Sequence, residues 1–97
     1  MIYRKGELSP AAVDRGWPHQ VALRADRVVR DFHIIAEFCS ELSLCARGHS
    51  VNDGTDWYRV YCFAKPEDAA TFAARFGGER FDPTHRGRGA RWAQWKR

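Results

Sequence analysis

An amphipathic helix between Val28 and Leu42 constrains the fold more than any other feature of the sequence. Its apolar residues recur at spacings of 4, 3, 4 and 3, which places them on one side of a helix; they are Val28, Phe32, Ile35, Cys39 and Leu42. The opposite side carries Arg30, His33, Glu37 and Glu41. Alternatively, the helix begins later and Asp31 caps it. The apolar side has to be buried against a second layer of structure.

Four strand signals predict that second layer. Apolar residues alternate with polar residues or alanine in Trp17–Ala25, which predicts a strand. A weaker strand is predicted at Cys45–Val51, and a strand rich in aromatic residues at Trp57–Phe63. Residues 52–55, Asn-Asp-Gly-Thr, tolerate positive φ and predict a hairpin loop between these two strands. A short last strand is predicted at Glu79–Phe81.

A second helix is predicted between Pro66 and Phe76. Pro66 suits the first helical position, where an N–H has no partner within the helix. Glu67 and Asp68 complement the positive end of the helix dipole, and Gly77 is typical of a helix stop. One apolar stripe runs along this helix and consists of Ala69, Phe72, Ala73 and Phe76.

The order of these elements predicts an α+β domain of the ferredoxin-like βαββαβ type. In this two-layer sandwich, a four-stranded antiparallel sheet carries two helices on one face. The predicted domain spans residues 17–83. Residues 1–16 are predicted to be an irregular N-terminal arm, because Gly and Pro interrupt any period there, and residues 84–97 a basic tail with Arg-Gly and Trp residues.

The stretch from Trp57 to Phe81 carries a family resemblance. Its residues Tyr61-Cys62-Phe63-Ala64-Lys65-Pro66-Glu67-Asp68-Ala69 resemble the third strand and second helix of RNA-recognition-motif domains. This likeness implies the ferredoxin-like fold. The whole chain also resembles small bacterial proteins, with an alphaproteobacterial source as one option, that end in Phe-Gly-Gly-Glu-Arg-Phe and an Arg-Gly-Arg-Gly segment. That second resemblance implies no activity.

With both helices on one face of the predicted sheet, the other face is left open. Arg59 favours an outward orientation for its side of the predicted strand Trp57–Phe63, because alternate side chains of a strand point to opposite faces. The predicted partner-binding residues on this open face are Trp57, Arg59, Tyr61, Gln20 and Arg24. A monomer seldom exposes so large an apolar patch, so the face is expected to be closed by a second copy or by the chain's own arm or tail.

The excess of basic residues is confined to the end of the chain. The net charge is +4, yet residues 84–97 carry five Lys or Arg and no acidic residue, which leaves a net −1 on the rest. The predicted tail binding residues are Arg86, Arg88, Arg91, Trp92 and Trp95. A free tail would bind phosphates through its arginines. Alternatively, Trp92 and Trp95 share one side of a short helix and dock on an apolar surface.

No catalytic residue, metal site or cofactor is predicted. Cys39, Cys45 and Cys62 show no Cys-x-x-Cys spacing and no His at zinc-finger spacing, so they are predicted to be reduced and mostly buried. His33 and Glu37 are one helical turn apart, but on the polar side, where a solvated pair is the common interpretation. No membrane span or secretory leader is predicted, and the expected compartment is the cytoplasm.

The leading hypothesis from the sequence is a noncatalytic binding or assembly module. It would form a homodimer or bind a protein partner through the open sheet face, with Trp57 and Tyr61 as anchors. The alternative is a small single-stranded nucleic-acid-binding protein, since aromatic side chains interleaved with arginines stack bases and contact phosphates. A small-molecule enzyme or a ligand-binding dimer is the third option.

Overall fold

A four-stranded antiparallel sheet with helices packed on it organises the fold, which confirms the predicted α+β class. The structure is a computed structural model and describes residues 9–85, 87 and 91–95. In chain order the elements are α1 (Pro10–Gly16), β1 (His19–Arg24), α2 (Ala25–Arg30), α3 (Phe32–Phe38), β2 (His49–Asn52), β3 (Trp57–Phe63), α4 (Pro66–Phe76) and β4 (Glu79–Phe81). Short 3₁₀ turns at Cys39–Glu41 and Pro83–His85 follow α3 and β4.

The strands are arranged in the order β2-β3-β1-β4, and each neighbouring pair is antiparallel. In the central ladder Gln20 lies opposite Cys62, and Arg24 lies opposite Tyr58. Directly opposite residues point to the same face of a sheet. This register therefore decides which side chains of β1 and β3 share a surface.

Helices α3 and α4 pack on the same face of the sheet. The buried residues of this layer are Val21, Leu23 and Phe63 from the strands, Ile35 from α3, Cys39 after it, and Ala69, Phe72 and Phe76 from α4. Helix α4 has the predicted bounds, and Gly77 ends it at φ +75° with its N–H donating to the Ala73 carbonyl at 2.7 Å. The predicted helix stop is therefore confirmed.

The prediction of one continuous helix from Val28 to Leu42 is wrong. Helices α2 and α3 are separated at Asp31, whose φ of −112° and ψ of 25° depart from the helical values. The Nε–H of Arg27 donates to Asp31 Oδ2 at 2.7 Å, and the Asp31 side chain caps no N–H of α3. The Asp31 carboxylate thus pairs with Arg27 of α2, and Asp31 interrupts the helical backbone between α2 and α3.

Both ends of the described chain cover the second face of the sheet. Val13 of α1 and Trp95 of the tail are buried there against Val51, Val60 and Phe81. The expected irregular lead-in is wrong for residues 10–16, which form α1 because the Ser9 hydroxyl accepts from the Ala12 N–H at 3.2 Å and proline occupies the first turn. Of the closures expected for this face, the described residues show closure by the chain itself.

The bounds of β3 and β4 are those predicted, whereas β1 and β2 are shorter. Pairing with β3 starts before β2, because Leu44 bridges to Phe63 and the Cys45 N–H donates to the Cys62 carbonyl at 2.8 Å. Pairing with β3 is then interrupted and resumes at His49. Within the described residues, no helix has the length and apolar content needed to cross a membrane.

Candidate binding cleft

The predicted outward orientation of Trp57, Arg59 and Tyr61 is wrong. Tyr61 packs on Phe72 of α4 with ring centroids 4.9 Å apart, and Phe63 lies in the same buried cluster. By alternation, Trp57 and Arg59 point to this helix-covered face as well. A charged side chain is accommodated there because the start of β3 is exposed: Arg59 is exposed, and Trp57 retains 54% of its surface.

Gln20 and Arg24 lie on the opposite face from those three residues. Gln20 is buried beneath α1, whereas Arg24 is exposed at the end of β1. The guanidinium of Arg24 donates to Asp56 Oδ2 at 2.8 Å, an ion pair between two solvent-exposed groups. The five residues predicted to form one sheet surface are therefore divided between its two sides.

A cleft of about 330 Å³ opens between α3 and β3 on the helix-covered face. Helix α3 contributes Phe32, Ile35 and Ala36 to its lining, and β3 contributes Arg59 and Tyr61. The remaining lining residues are Val28, Cys39, Leu44 and Ala46. The lining is predominantly apolar with a few polar groups, as in small-ligand and side-chain binding sites, and the volume lies at the lower end of the range for such sites.

The cleft exists because α4 covers only part of this face. The Phe72 ring packs on Tyr61, Phe63 and Phe76, at centroid distances between 4.9 and 5.2 Å. None of the described residues of α4 lines the cleft beside Arg59. The apolar side of α3 is thus left partly uncovered beside Arg59 and Tyr61.

Large apolar side chains are exposed on α2, α3 and β3. Four of them are more than half exposed: Val29, Phe32, Ile34 and Trp57. Phe32, which retains 58% of its surface, also lines the cleft. Single exposed apolar residues are common, but an exposed aromatic ring in the lining of an apolar cleft, as at Phe32, is typical of an interaction surface.

Three cleft residues carry polar or ionisable atoms. Burial raises the pKa of the Cys39 thiol to about 11, so the thiol is protonated at neutral pH and is a poor nucleophile. Burial also raises the pKa of the Tyr61 hydroxyl, and the positive charge of Arg59 opposes that shift. The cleft therefore offers a fixed cation and a phenolic hydroxyl in apolar surroundings.

A buried polar cluster joins α1 to the sheet on the other face. The Nε2 atoms of His49 and Gln20 each lie 3.0 Å from Asp14 Oδ1. Gln20 Nε2 also donates to the Trp17 carbonyl at 3.0 Å. Because His49 and Gln20 are almost completely buried, these contacts hold α1 in one position on the sheet.

The predicted tail residues divide into buried, exposed and undescribed ones. Trp95 is only 4% exposed, and its N–H donates to the Asn52 carbonyl at 2.9 Å. Trp92 is 42% exposed and its ring lies edge-on to His49, with centroids 6.3 Å apart. Arg91 is exposed, while Arg86 and Arg88 lie outside the described residues. Of the two alternatives predicted for the tail, residues 91–95 therefore follow the docked one, with Trp95 packed on the domain.

Sequence reasoning assigned Phe32, Ile35 and Cys39 to the core and so missed the cleft. The sequence signals the exposed apolar residues of α2 and α3, although not the cleft itself, through two apolar doublets, Val28-Val29 and Ile34-Ile35. Each doublet puts one apolar residue beyond the buried stripe of its helix, where nothing in the same layer covers it.

The described part of the chain has no grouping of three or more His, Cys, Asp or Glu that could hold a metal ion. All three cysteines are free and buried. The chain matches no protein-family model, no curated protein and no solved structure with which it was compared. The likenesses to RNA-recognition-motif domains and to small bacterial proteins therefore stay predictions.

Proposed function

We propose that this chain is a noncatalytic binding module that associates with a protein partner through the apolar cleft between α3 and β3. The cleft itself is the observation that carries the proposal: about 330 Å³ of mostly apolar space, with the half-exposed ring of Phe32 in its lining. The cleft takes the place of the far sheet face as the proposed binding surface, because α1 and Trp95 cover that face.

The proposed fold is the ferredoxin-like βαββαβ arrangement. The strand order β2-β3-β1-β4 supports it, with β1 and β4 adjacent and β3 central. Helices follow β1 and β3, and both helical segments pack on one face. In this fold α1 and Trp95 of the tail are additions that occupy the face left free by the two helices.

Exposed apolar anchors give the surface its binding energy in this proposal. Complete burial of a large apolar side chain contributes roughly 1.5 to 3 kcal/mol. Phe32 and Trp57 each keep more than half of their surface for a partner to bury. Aromatic residues of this kind dominate the energetics of most protein interfaces.

The proposal includes no catalytic step. The Cys39 thiol is protonated at neutral pH, and no described His or carboxylate lines the cleft to act as a general base. Nor does it include a base-stacking sheet face. The Tyr61 ring packs on Phe72 and the Tyr58 ring packs on Trp95, so neither aromatic face is free in the way that stacking on nucleic-acid bases requires.

The test uses a neutral apolar peptide as its probe. An acetylated and amidated peptide with leucine and phenylalanine side chains, and glutamine as its only polar residue, is titrated into ¹⁵N-labelled protein. We expect amide shifts to concentrate at residues 28–39 and 59–61. Phe32→Ser should weaken this binding, and Trp92→Ser, which removes a half-exposed ring on the other face, should preserve it.

Light scattering over a range of protein concentrations is run alongside the titration. A mass that rises to twice the monomer, and that Phe32→Ser returns to the monomer, would support association and identify a second copy as the partner. If the peptide shifts no amides at the cleft and the mass does not change with concentration, the proposed function is overturned.

A further inference from the structure

We propose that the cleft between α3 and β3 takes an acidic amphipathic segment of a protein partner, with an apolar side chain in the cleft and a neighbouring Asp or Glu carboxylate on Arg59. The inference rests on the proposed function and adds the chemistry of the partner. It comes from the position of one cation on a wall that is otherwise apolar.

Arg59 differs from the other arginines near the start of β3. Arg24 donates to Asp56 at 2.8 Å, and Arg27 donates to Asp31 at 2.7 Å and to the Phe76 carbonyl at 3.1 Å. The Arg59 side chain makes no ion pair and no hydrogen bond with the residues that the structure describes. It lines the cleft together with Phe32 and Tyr61. Its guanidinium is therefore available to an anion that reaches the cleft.

Tyr61 supplies a second donor on the same wall. Its ring is held against Phe72, and its hydroxyl forms no hydrogen bond within the described part of the chain. Burial raises the pKa of this hydroxyl, so it stays protonated and able to donate at neutral pH. A carboxylate accepts from both a guanidinium and a hydroxyl, whereas an ammonium group accepts from neither.

The main chain around Arg59 favours a side-chain carboxylate over a chain terminus. Strand β3 lies between β1 and β2, and Arg59 is paired with Leu23 on one side and Ser50 on the other. Its main-chain groups are thus part of the sheet. Capture of a C-terminal carboxylate usually relies on several converging backbone N–H groups, and a central strand does not offer them.

The apolar lining decides what accompanies the carboxylate. Phe32, Ile35 and Leu44 surround space for one or two aliphatic or aromatic side chains. The exposed ring of Phe32 adds apolar surface at the cleft, and the exposed Trp57 lies two residues before Arg59 on the same face of β3. A segment that places an acidic residue beside Leu, Ile or Phe satisfies both requirements.

Two matched peptides test the inference on the full chain. Both are acetylated and amidated and share the same leucine and phenylalanine residues; one carries glutamate where the other carries glutamine. Dissociation constants are measured by ¹⁵N NMR titration. The glutamate peptide should bind about three- to tenfold more tightly, as expected for a solvent-accessible charge-assisted contact, and the advantage should shrink with added salt.

Arg59→Gln should remove the difference between the two peptides while the glutamine peptide still binds. Arg80→Gln is the matched control, because it makes the same charge change on β4 and does not line the cleft. It should preserve the difference. Equal reduction by both variants would show a general charge effect and overturn the assignment to Arg59.

The remaining outcomes separate this inference from the proposed function. Equal affinity of the two peptides for the unaltered chain would overturn the acidic preference and leave the apolar binding site in place. Tighter binding of a glutamine peptide with a free C-terminal carboxylate would overturn the assignment to a side-chain acid. A dimer through the cleft with no peptide binding would make a second copy the occupant. If the chain binds neither peptide and does not self-associate, the acidic-segment inference and the proposed function are both overturned.

Discussion

The ring of Trp95 packs edge-on against the ring of Tyr58, with centroids 5.2 Å apart and planes at 88°. This contact joins the end of the described chain to the strand at the middle of the sheet. It covers the face that two helices alone would leave bare, and the Phe81 ring completes the cluster at 5.1 Å from Trp95. The tail is consequently a part of the folded body at this point.

We therefore expect Trp95→Ala to destabilise the protein by about 3 to 5 kcal/mol, the usual cost of removing a buried aromatic side chain. Trp92→Ala is the matched control, since Trp92 is 42% exposed and Trp95 only 4%. It should cost less than about 1 kcal/mol. Urea denaturation followed by circular dichroism measures both. Similar losses for the two variants would contradict docking of the tail through Trp95.

The cluster around Asp14 yields a second prediction for the same face. Asp14→Ala removes the acceptor that lies 3.0 Å from both His49 Nε2 and Gln20 Nε2, and it leaves buried groups without that partner. The expected loss is about 1 to 3 kcal/mol in chemical denaturation. Asp14→Asn keeps an oxygen at Oδ1 and should cost clearly less. If the asparagine variant is as unstable as the alanine variant, the acceptor atom is not what matters.

Gly77 and Gly16 offer a comparison in which backbone conformation is the main difference. A Cβ at either position would have no atom within 4 Å, but only Gly77 has a positive φ, +75°. Gly77→Ala should therefore cost about 1 to 2 kcal/mol. Gly16→Ala, at the last residue of α1, should be neutral or stabilise by up to about 1 kcal/mol. Thermal unfolding of the two variants measures the contrast, and equal effects would rule out φ as the cause.

Local signals explain which elements the sequence predicted well. Helix α4 has a proline at its start, two acidic residues in its first turn and a glycine after its end, so its bounds follow from the residues themselves. Helix α1 carries the same kind of signal, Ser9 followed by Pro10. The same proline, with the glycines nearby, also interrupts the apolar period, and the sequence therefore predicts an irregular segment there. The break lies at Asp31, whose backbone leaves the helical φ and ψ values, and the apolar period does not reveal it.

The orientation of β3 could not be predicted from its own residues. Both sides of the strand contain aromatic residues, and Arg59 alone favours the outward orientation that the sequence predicts for its side. The deciding contacts are distant in sequence: Phe72 packs on Tyr61, and Trp95 packs on Tyr58. Each side of β3 is therefore covered by a different part of the chain, and a long charged side chain fits where that cover ends. The cleft was missed for the same reason.

Asp68 gives the protein a specific sensitivity to acid. Hydrogen bonds from the side chain and main chain of Ser43 hold the pKa of the Asp68 carboxyl below its ordinary value of 3.8. A carboxyl with a lowered folded-state pKa stabilises the protein above its unfolded-state pKa, and this contribution is lost as the pH falls through the folded-state pKa. Asp68→Asn should therefore reduce the drop in urea midpoint between about pH 6 and about pH 2.5.

Glu67→Gln is the control for that experiment. Glu67 is exposed in the same first turn of α4, and its side chain makes no hydrogen bond or ion pair with the described residues. Its substitution should leave the acid-induced drop as large as in the unaltered chain. An unchanged drop in Asp68→Asn would show that the Ser43 contact contributes nothing to acid stability.

The last prediction separates binding from folding at two phenylalanines. Phe32 is 58% exposed in the cleft, whereas Phe72 is completely buried beneath the same sheet face. Phe32→Ala should cost under about 1 kcal/mol of stability, and Phe72→Ala about 3 to 5 kcal/mol. Urea denaturation gives the stabilities, and the glutamate peptide gives the affinities.

If the cleft is a binding surface, Phe32→Ala loses most of its peptide affinity while it stays folded, because the ring that the peptide would bury contributes little to the free protein. A Phe32→Ala variant that binds as well as the unaltered chain would place the binding energy elsewhere, and one as unstable as Phe72→Ala would make Phe32 a core residue after all.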